Sequence, residues 1–212
     1  PFIDFNKVRE QFLYHADQPM IFNSGFFLFL FTAFLFIYYL IHESQRAKLI
    51  FVTIFSYYFY YKSSGIYFLV LLSFTIIDYR LADIISRTSL INRKKFFLIL
   101  SLVINLGTLA YFKYTNFLAE IFGNLTGSAD RSFDIFLPVG ISFFTFQSLS
   151  YTIDVYRGNL KPAESFLDYA FYLSFFPQLV AGPIVRAADF MPQIRQAIIV
   201  SREMFGRGVF LI

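Results

Sequence analysis

The sequence predicts an all-α fold: a polytopic transmembrane helical bundle with one re-entrant segment. Three observations predict it. Of the 212 residues, 57% are hydrophobic and 15% charged, and the mean hydropathy is +0.58; a soluble domain usually carries about 25% charged residues. A chain this apolar has more such surface than one core can bury, so lipid is the expected solvent. The apolar residues are contiguous over runs of helical length, whereas a β-barrel needs strands of about ten residues that alternate apolar and polar. One run, late in the chain, is interrupted by Pro177, Gly182 and Pro183.

The elements follow in order. Residues 1–19 form a mixed, polar leader with no signal-peptide layout, expected to lie outside the hydrocarbon with a short interfacial helix. Pro1 and the apolar run around Ile212 make both ends read as trimmed. The first run, Ser24 to Ile41, is uncharged and at about 1.5 Å per residue nearly crosses a core of about 30 Å. Asn23 or Ser24 is its expected cap. The second, Leu49 to Tyr61, is short, so Lys48 and Lys62 at its flanks are expected to snorkel, with the tyrosines at the interface. The third, Ser63 to Ile77, ends at Asp78 and Arg80, read as helix-end residues that pair with each other or with headgroups. The fourth, Phe96 to Leu118, contains Lys113, also expected to snorkel. Ile135 to Ile153 is the fifth and Tyr169 to Val185 the sixth, and a seventh begins near Phe205.

Basic residues orient the helices. With the N-terminus outside, Arg46, Lys48, Arg80, Arg87, Arg93, Lys94, Lys95, Arg157 and Lys161 are cytoplasmic. If the sixth run spans, Arg186, Arg195, Arg202 and Arg207 fall outside and the bias nearly disappears; if it enters and returns, they remain inside. Pro177 and Pro183 lack an amide donor and break the helical ladder. Non-helical backbone survives at membrane depth only where protein buries it or water reaches it. Phe175 to Ile184 is therefore expected to line a polar cavity.

The stretch richest in polar groups at the end of a membrane helix is Gln147, Ser148, Ser150, Tyr151 and Thr152, followed by Asp154 and Arg157. Gln147, Tyr151 and Asp154 share one helical face. Two readings stay open. The stripe walls a water- or substrate-filled cleft, or it joins helices by hydrogen bonds, with Asp154 and Arg157 as an interfacial ion pair. Cysteine is absent, and His15 and His42 lack carboxylates at metal-ligand spacing, so no metal site is expected. There is no phosphate-cradling loop and no nucleophile elbow. The basic residues sit between apolar runs rather than on polar faces, which excludes a nucleic-acid reader. From the residues alone, no catalytic constellation is complete.

Two long motifs, LPVGISFFTFQSLSYTIDVYRG (Leu137 to Gly158) and SFFPQLVAGPIVRAADFMPQI (Ser174 to Ile194), resemble the bacterial membrane-bound O-acyltransferase family, in its alginate O-acetyltransferase branch. MIFNSGFFLFLF, SYYFYY and LAYFKYTNF fit the same pattern. The resemblance covers roughly residues 20–212, which read as the N-terminal part of that domain. It implies a multi-pass enzyme of the cytoplasmic membrane with a funnel reaching into the bilayer. The implied reaction moves an acyl group, here acetyl, from a cytoplasmic thioester to a hydroxyl of a lipid, peptide or exported polysaccharide. The donor, acetyl-coenzyme A or an acyl carrier, is a substrate, so no bound cofactor is expected, and accessory periplasmic acetylation proteins are implied partners. A histidine later in the family fold acts as general base. Neither His15 nor His42 matches it, so no catalytic residue carries over, and these residues alone are expected to be inactive. On this resemblance Gln147, Ser148, Tyr151, Asp154 and Arg157 line or brace the funnel, and Pro177, Gln178, Gly182 and Pro183 shape its re-entrant floor. The alternatives are a transporter or channel, which a broken helix would suit, and a non-catalytic membrane scaffold. No second broken helix accompanies the first, which counts against the transporter.

Overall fold

The computed structural model describes residues 5–126, 133, 135–196 and 201–211. Their regular structure is all helical, with no strand among the described residues. Within the leader, α1 spans Phe5–Phe12. Helix α2, Gly25–Leu40, starts where the sequence places it: the Phe27 amide donates to Ser24 Oγ at 3.2 Å.

Helix α3, Gln45–Ser64, extends beyond the apolar run at both ends. Ser44 caps it, accepting from the Ala47 amide at 3.2 Å. At its far end Lys62 does not snorkel. It is 4% exposed, and its Nζ donates to the carbonyl of Gln11 at 2.8 Å and to that of Leu13. The reason is the leader, which folds over the end of α3 and offers carbonyls that the last turn of α1 leaves unbonded. Ser63 Oγ adds a bond to the Met20 carbonyl at 2.9 Å. Lys48 stays half-exposed beside the Tyr38 ring.

After a 3-10 turn at Gly65–Tyr67 comes α4, Phe68–Arg87. The third run was expected to end at Asp78 and Arg80, but both lie in mid-helix. A linear apolar run stops at Asp78; the buried helical face continues through it, from Leu71, Phe74 and Thr75 to Leu81, Ala82 and Ile85. Asp78 faces that core and is not paired with Arg80. Helix α5, Ile91–Thr126, has 36 residues. Its stretch Ile91–Leu125 is, among the described residues, the one helix both long and apolar enough to cross a membrane; Gly25–Leu40 is apolar but shorter. Lys113 is exposed on it, beside the Tyr114 ring. Five spans were expected. The residues of α3 and α4 that extend them to 20 each are largely polar, which lowers their apolarity as membrane helices.

Helix α6, Ile141–Arg157, begins later than the fifth run because Pro138 and Gly140 precede it. Gly140 has φ 71°, and a Cβ there would stand 2.7 Å from the Leu179 carbonyl oxygen. Both facts demand glycine. Gly140→Ala is expected to destabilise the protein by about 2 kcal/mol or more, through left-handed strain and displaced backbone. A thermal melt in detergent checks this, and an unchanged midpoint would show that this contact is absent.

The sixth run is broken, as its prolines require. Helix α7, Phe166–Ser174, stops at Phe175; α8, Phe176–Ala181, follows; Gly182 to Arg186 are non-helical; and α9 is Ala187–Ile194. Helix α10, Arg202–Leu211, begins near the expected seventh start. Helices α4, α5 and α6 pack on one another, α7 lies on α3 and α4, and α9 lies on α6 and α7. One core is centred on Tyr60, Phe74, Phe144, Tyr151 and Tyr169; a second, between α2 and α3, holds Phe27, Phe34, Phe59 and Phe176.

Candidate functional site

The most polar point of the interior is Asp78, fully buried on α4. A buried carboxylate needs donors to replace water. Ser101 Oγ donates to Oδ1 at 2.6 Å, Asn105 Nδ2 to Oδ2 at 2.9 Å, and Ser148 Oγ to Oδ2 at 2.5 Å. Ser101 and Asn105 are four residues apart on α5, so they present one face to α4. Asp78 makes no ion pair among the described residues. Ser148 Oγ also lies 2.9 Å from the hydroxyl of Tyr169, which carries the cluster on to α7.

Sequence reasoning singled out Ser148, read Asp78 as a helix-end residue, and missed Ser101, Asn105 and Tyr169. A signal was present: Ser101 and Asn105 share a helical face inside a long apolar run, and Asp78 lies in the register of a buried stripe.

The other expected residues divide by depth. Gln147 is 2% exposed, and its Oε1 meets no donor among the described residues. Tyr151 is fully buried; its hydroxyl accepts from the Ala163 amide at 3.0 Å, and its ring centroid is 4.5 Å from that of Tyr169. Asp154 is half-buried, and its carbonyl accepts from the amides of Asn159 and Leu160 at the helix end. Arg157 is exposed, and no Asp154–Arg157 ion pair occurs among the described residues. None of these four, nor Ser148, lines either cavity described below.

The broken segment is held by protein. The Phe176 amide donates to Ser56 Oγ at 3.3 Å, Gln178 Nε2 to the Pro183 carbonyl at 3.3 Å, and the Tyr172 hydroxyl to the Val185 carbonyl at 3.1 Å. At Gly182 the returning chain passes so close to α8 that a Cβ would sit 2.6 Å from Gln178 Cα. Pro177 and Pro183 are exposed. Beyond the segment, Arg195 Nη2 bonds Asp168 Oδ2 at 2.5 Å, and Arg195 also pairs with Glu164. The bond from Asp168, then its charge, raises the guanidinium pKa, so Arg195 stays charged.

A cavity of about 660 Å³ meets this segment at Phe175, Phe176 and Pro177. Its wall was expected to be polar. It is mostly apolar and rich in aromatic rings, with Phe31, Phe34, Phe171 and Phe190 inside and Gln45, Lys48, Gln193 and Gln196 as polar members. Phe31 and Phe34 of α2 meet Phe171 of α7 and Phe190 of α9 there, a contact that the polar character of the later motif did not reveal. A second cavity, about 980 Å³, lies between the leader and α2, with Glu10, His15, Asp17 and Lys62 on its wall.

No base–hydroxyl pair forms at either histidine. His15 Nε2 lies 2.9 Å from the Glu10 carbonyl and His42 Nδ1 2.8 Å from that of Tyr39, and both residues are exposed.

No family model matches the chain, and no solved structure does. Curated proteins do. The chain is 37% identical over 180 residues to the probable alginate O-acetylase AlgI of Pseudomonas aeruginosa, a match covering 82% of this chain and 34% of that protein. It is 32% identical over 204 residues to the peptidoglycan O-acetyltransferase of Helicobacter pylori, covering 83% and 39%. A probable alginate O-acetylase of Azotobacter vinelandii is 35% identical over 181 residues, covering 82% and 36%. The chain thus spans just over a third of the length of the curated relatives it matches. Such identity, sustained well beyond the two long motifs, means that this chain belongs to the bacterial O-acetyltransferase family that contains the alginate O-acetylases.

Proposed function

We propose that this chain forms part of a multi-pass O-acyltransferase of the cytoplasmic membrane that passes an acetyl group from a cytoplasmic thioester towards hydroxyls of an exported polysaccharide. The observation that carries this is the 32–37% identity, over four-fifths of the chain, to proteins named for acetylating alginate and peptidoglycan. In the reaction an acceptor hydroxyl attacks the thioester carbonyl and the C–O bond forms; a general base takes the hydroxyl proton and returns it to the sulfur as the C–S bond breaks, so that the free thiol leaves. The donor is acetyl-coenzyme A or an acyl carrier, and periplasmic accessory proteins complete delivery. No residue described here is assigned the role of base.

Lipid as solvent is supported by large apolar side chains left outside. Phe29 is 65% exposed, Phe36 64% and Val103 62%, on α2 and α5. Helices α2, α3, α4 and α6 join α5 as spans, turning their polar residues inward as lipid requires. Residues 1–19 form the interfacial leader and residues 20–212 part of the acyltransferase domain. The segment around α8 enters the membrane and returns. The support is that its backbone groups at Phe176, Pro183 and Val185 find protein partners. In this reading Gln147, Ser148 and Tyr151 brace the funnel, Asp154 and Arg157 stand at its mouth, and Pro177, Gln178, Gly182 and Pro183 form its floor.

The test is made in the full-length protein, expressed in cells that lack their own O-acetyltransferase. Ester-bound acetate on the purified polysaccharide should appear with the protein and fall about tenfold in Gln178→Ala or Asp154→Ala, a loss of about 1.4 kcal/mol in transition-state stabilisation. Membrane protein level is the control. Ester content unchanged in both variants removes the case for the floor and mouth, and no ester with the unaltered protein removes the acyltransferase.

A further inference from the structure

We infer that Asp78 is a positioning residue: through Ser148 and Tyr169 it sets the placement of α7, and thereby of the broken segment from Phe175 to Arg186. The inference rests on the reading of that segment as the floor of the reaction chamber. It begins from an imbalance. Asp78 is fully buried and has no cation beside it among the described residues, so its position depends on three donors carried by two other helices. A buried group satisfied only by neutral donors constrains where those donors sit, because displacing any one leaves polar atoms unpaired in a low dielectric.

The constraint reaches the broken segment in two steps. Ser148 Oγ bonds Asp78 at 2.5 Å and lies 2.9 Å from the Tyr169 hydroxyl, so α7 is registered against α4 and α6 at one point. Tyr169 is fully buried and its ring packs on Tyr151, which fixes the rotation of α7 about that point. Almost one turn later Tyr172, on the same helix, donates to the carbonyl of Val185, near the far end of the non-helical stretch. A rotation of α7 therefore moves both ends of the segment together: Phe175 by direct continuity, Val185 through Tyr172. The start of α7 is secured separately by Asp168 and Arg195, so losing the Tyr169 hydroxyl should shift α7 rather than unfold it.

Cysteine labelling in membranes tests this, using the full-length protein. This chain has no cysteine, and any in the remainder is replaced. A single cysteine is placed at exposed Pro183, and in a second protein at Leu109, buried at 6% exposure on α5. Each is combined with Tyr169→Phe, which deletes one hydroxyl, and with Asp78→Asn. Labelling by a water-soluble maleimide should rise severalfold at position 183 in both variants and stay unchanged at 109. An unchanged rate at 183 in both variants overturns the inference. An equal rise at 109 does so too, because Asp78 would then serve overall stability only. Ester content, measured on Tyr169→Phe in the background without the added cysteines, reports separately: a labelling change with full ester content keeps the positioning role and removes the reading of the segment as the chamber floor.

Discussion

Phe176→Ala should lower the stability of the protein by about 3 kcal/mol, the low end of the range for a buried phenylalanine truncated to alanine. Phe176 is 3% exposed and opens α8, directly after the break. Its ring stands among those of Phe34, Phe55 and Phe59, at centroid distances of 5.9, 5.1 and 5.5 Å, the first two in edge-on geometry. Such pairs add about 0.5–1.5 kcal/mol each beyond area burial. Removing the ring leaves a cavity that the surrounding aromatic rings are too rigid to fill. On the proposed membrane reading the low end applies, because helices unfolded in lipid do not regain water and packing loss rather than transfer dominates. Denaturation in detergent micelles should show the loss, while Phe36→Ala, at a site 64% exposed on α2, should be near neutral. A Phe176→Ala loss as small as that of Phe36→Ala would mean that α8 is not seated between α2 and α3. The same substitution also enlarges the aromatic cavity, so any ester activity that depends on its shape should fall more than stability alone would require.

What was legible in the sequence depended on whether the signal was local. The helical nature of the described residues was legible because their apolar residues are contiguous over helical lengths rather than alternating as in strands. The break of the sixth run was legible because proline removes a donor wherever it stands. The cap at Ser24 was legible for the same reason, being a matter of one side chain and an amide three residues on. Helix ends set by distant partners were not. Lys62 looked like a flank because nothing in its neighbourhood announces that residues Gln11 and Leu13, some fifty positions earlier, supply its acceptors. Asp78 looked like a helix end because apolarity stops there on a linear count, while the buried face runs on to Ile85.

The candidate site divides the same way. Ser148 and Tyr151 were singled out and are buried members of the α6 core; Asp154 and Arg157 lie at the helix end, without the ion pair that their spacing allows. The aromatic wall of the cavity joins α2 to α9 across most of the chain, and no local motif encodes such an encounter.

Asp78→Ala should cost about 3 kcal/mol, an effect comparable to that of Phe176→Ala but of different origin. The substitution leaves Ser101, Asn105 and Ser148, all fully buried, without their shared acceptor. An unsatisfied buried donor costs about 1–3 kcal/mol, so three could in principle cost about 3–9 kcal/mol, as much as the net stability of many domains. The loss is smaller because alternatives exist. Asn105 Nδ2 already lies 3.0 Å from the Ser101 carbonyl, Ser148 can turn wholly to Tyr169, and serine hydroxyls in helices can bond the carbonyl four residues back. Asp78→Asn should cost less, about 1 kcal/mol, since it keeps one acceptor oxygen but sets an amide against a donor. The discriminating experiment is a double-mutant cycle. With Ser148→Ala already present, Asp78→Ala strands one donor fewer, so its effect should shrink by about 1 kcal/mol. Strict additivity would mean that the two side chains do not share a bond, and the link from α4 through α6 to α7 would fail with it. A coupling of the expected size would place the hold on the broken segment at a carboxylate two helices away, a dependence that no motif around Pro177 or Pro183 carries.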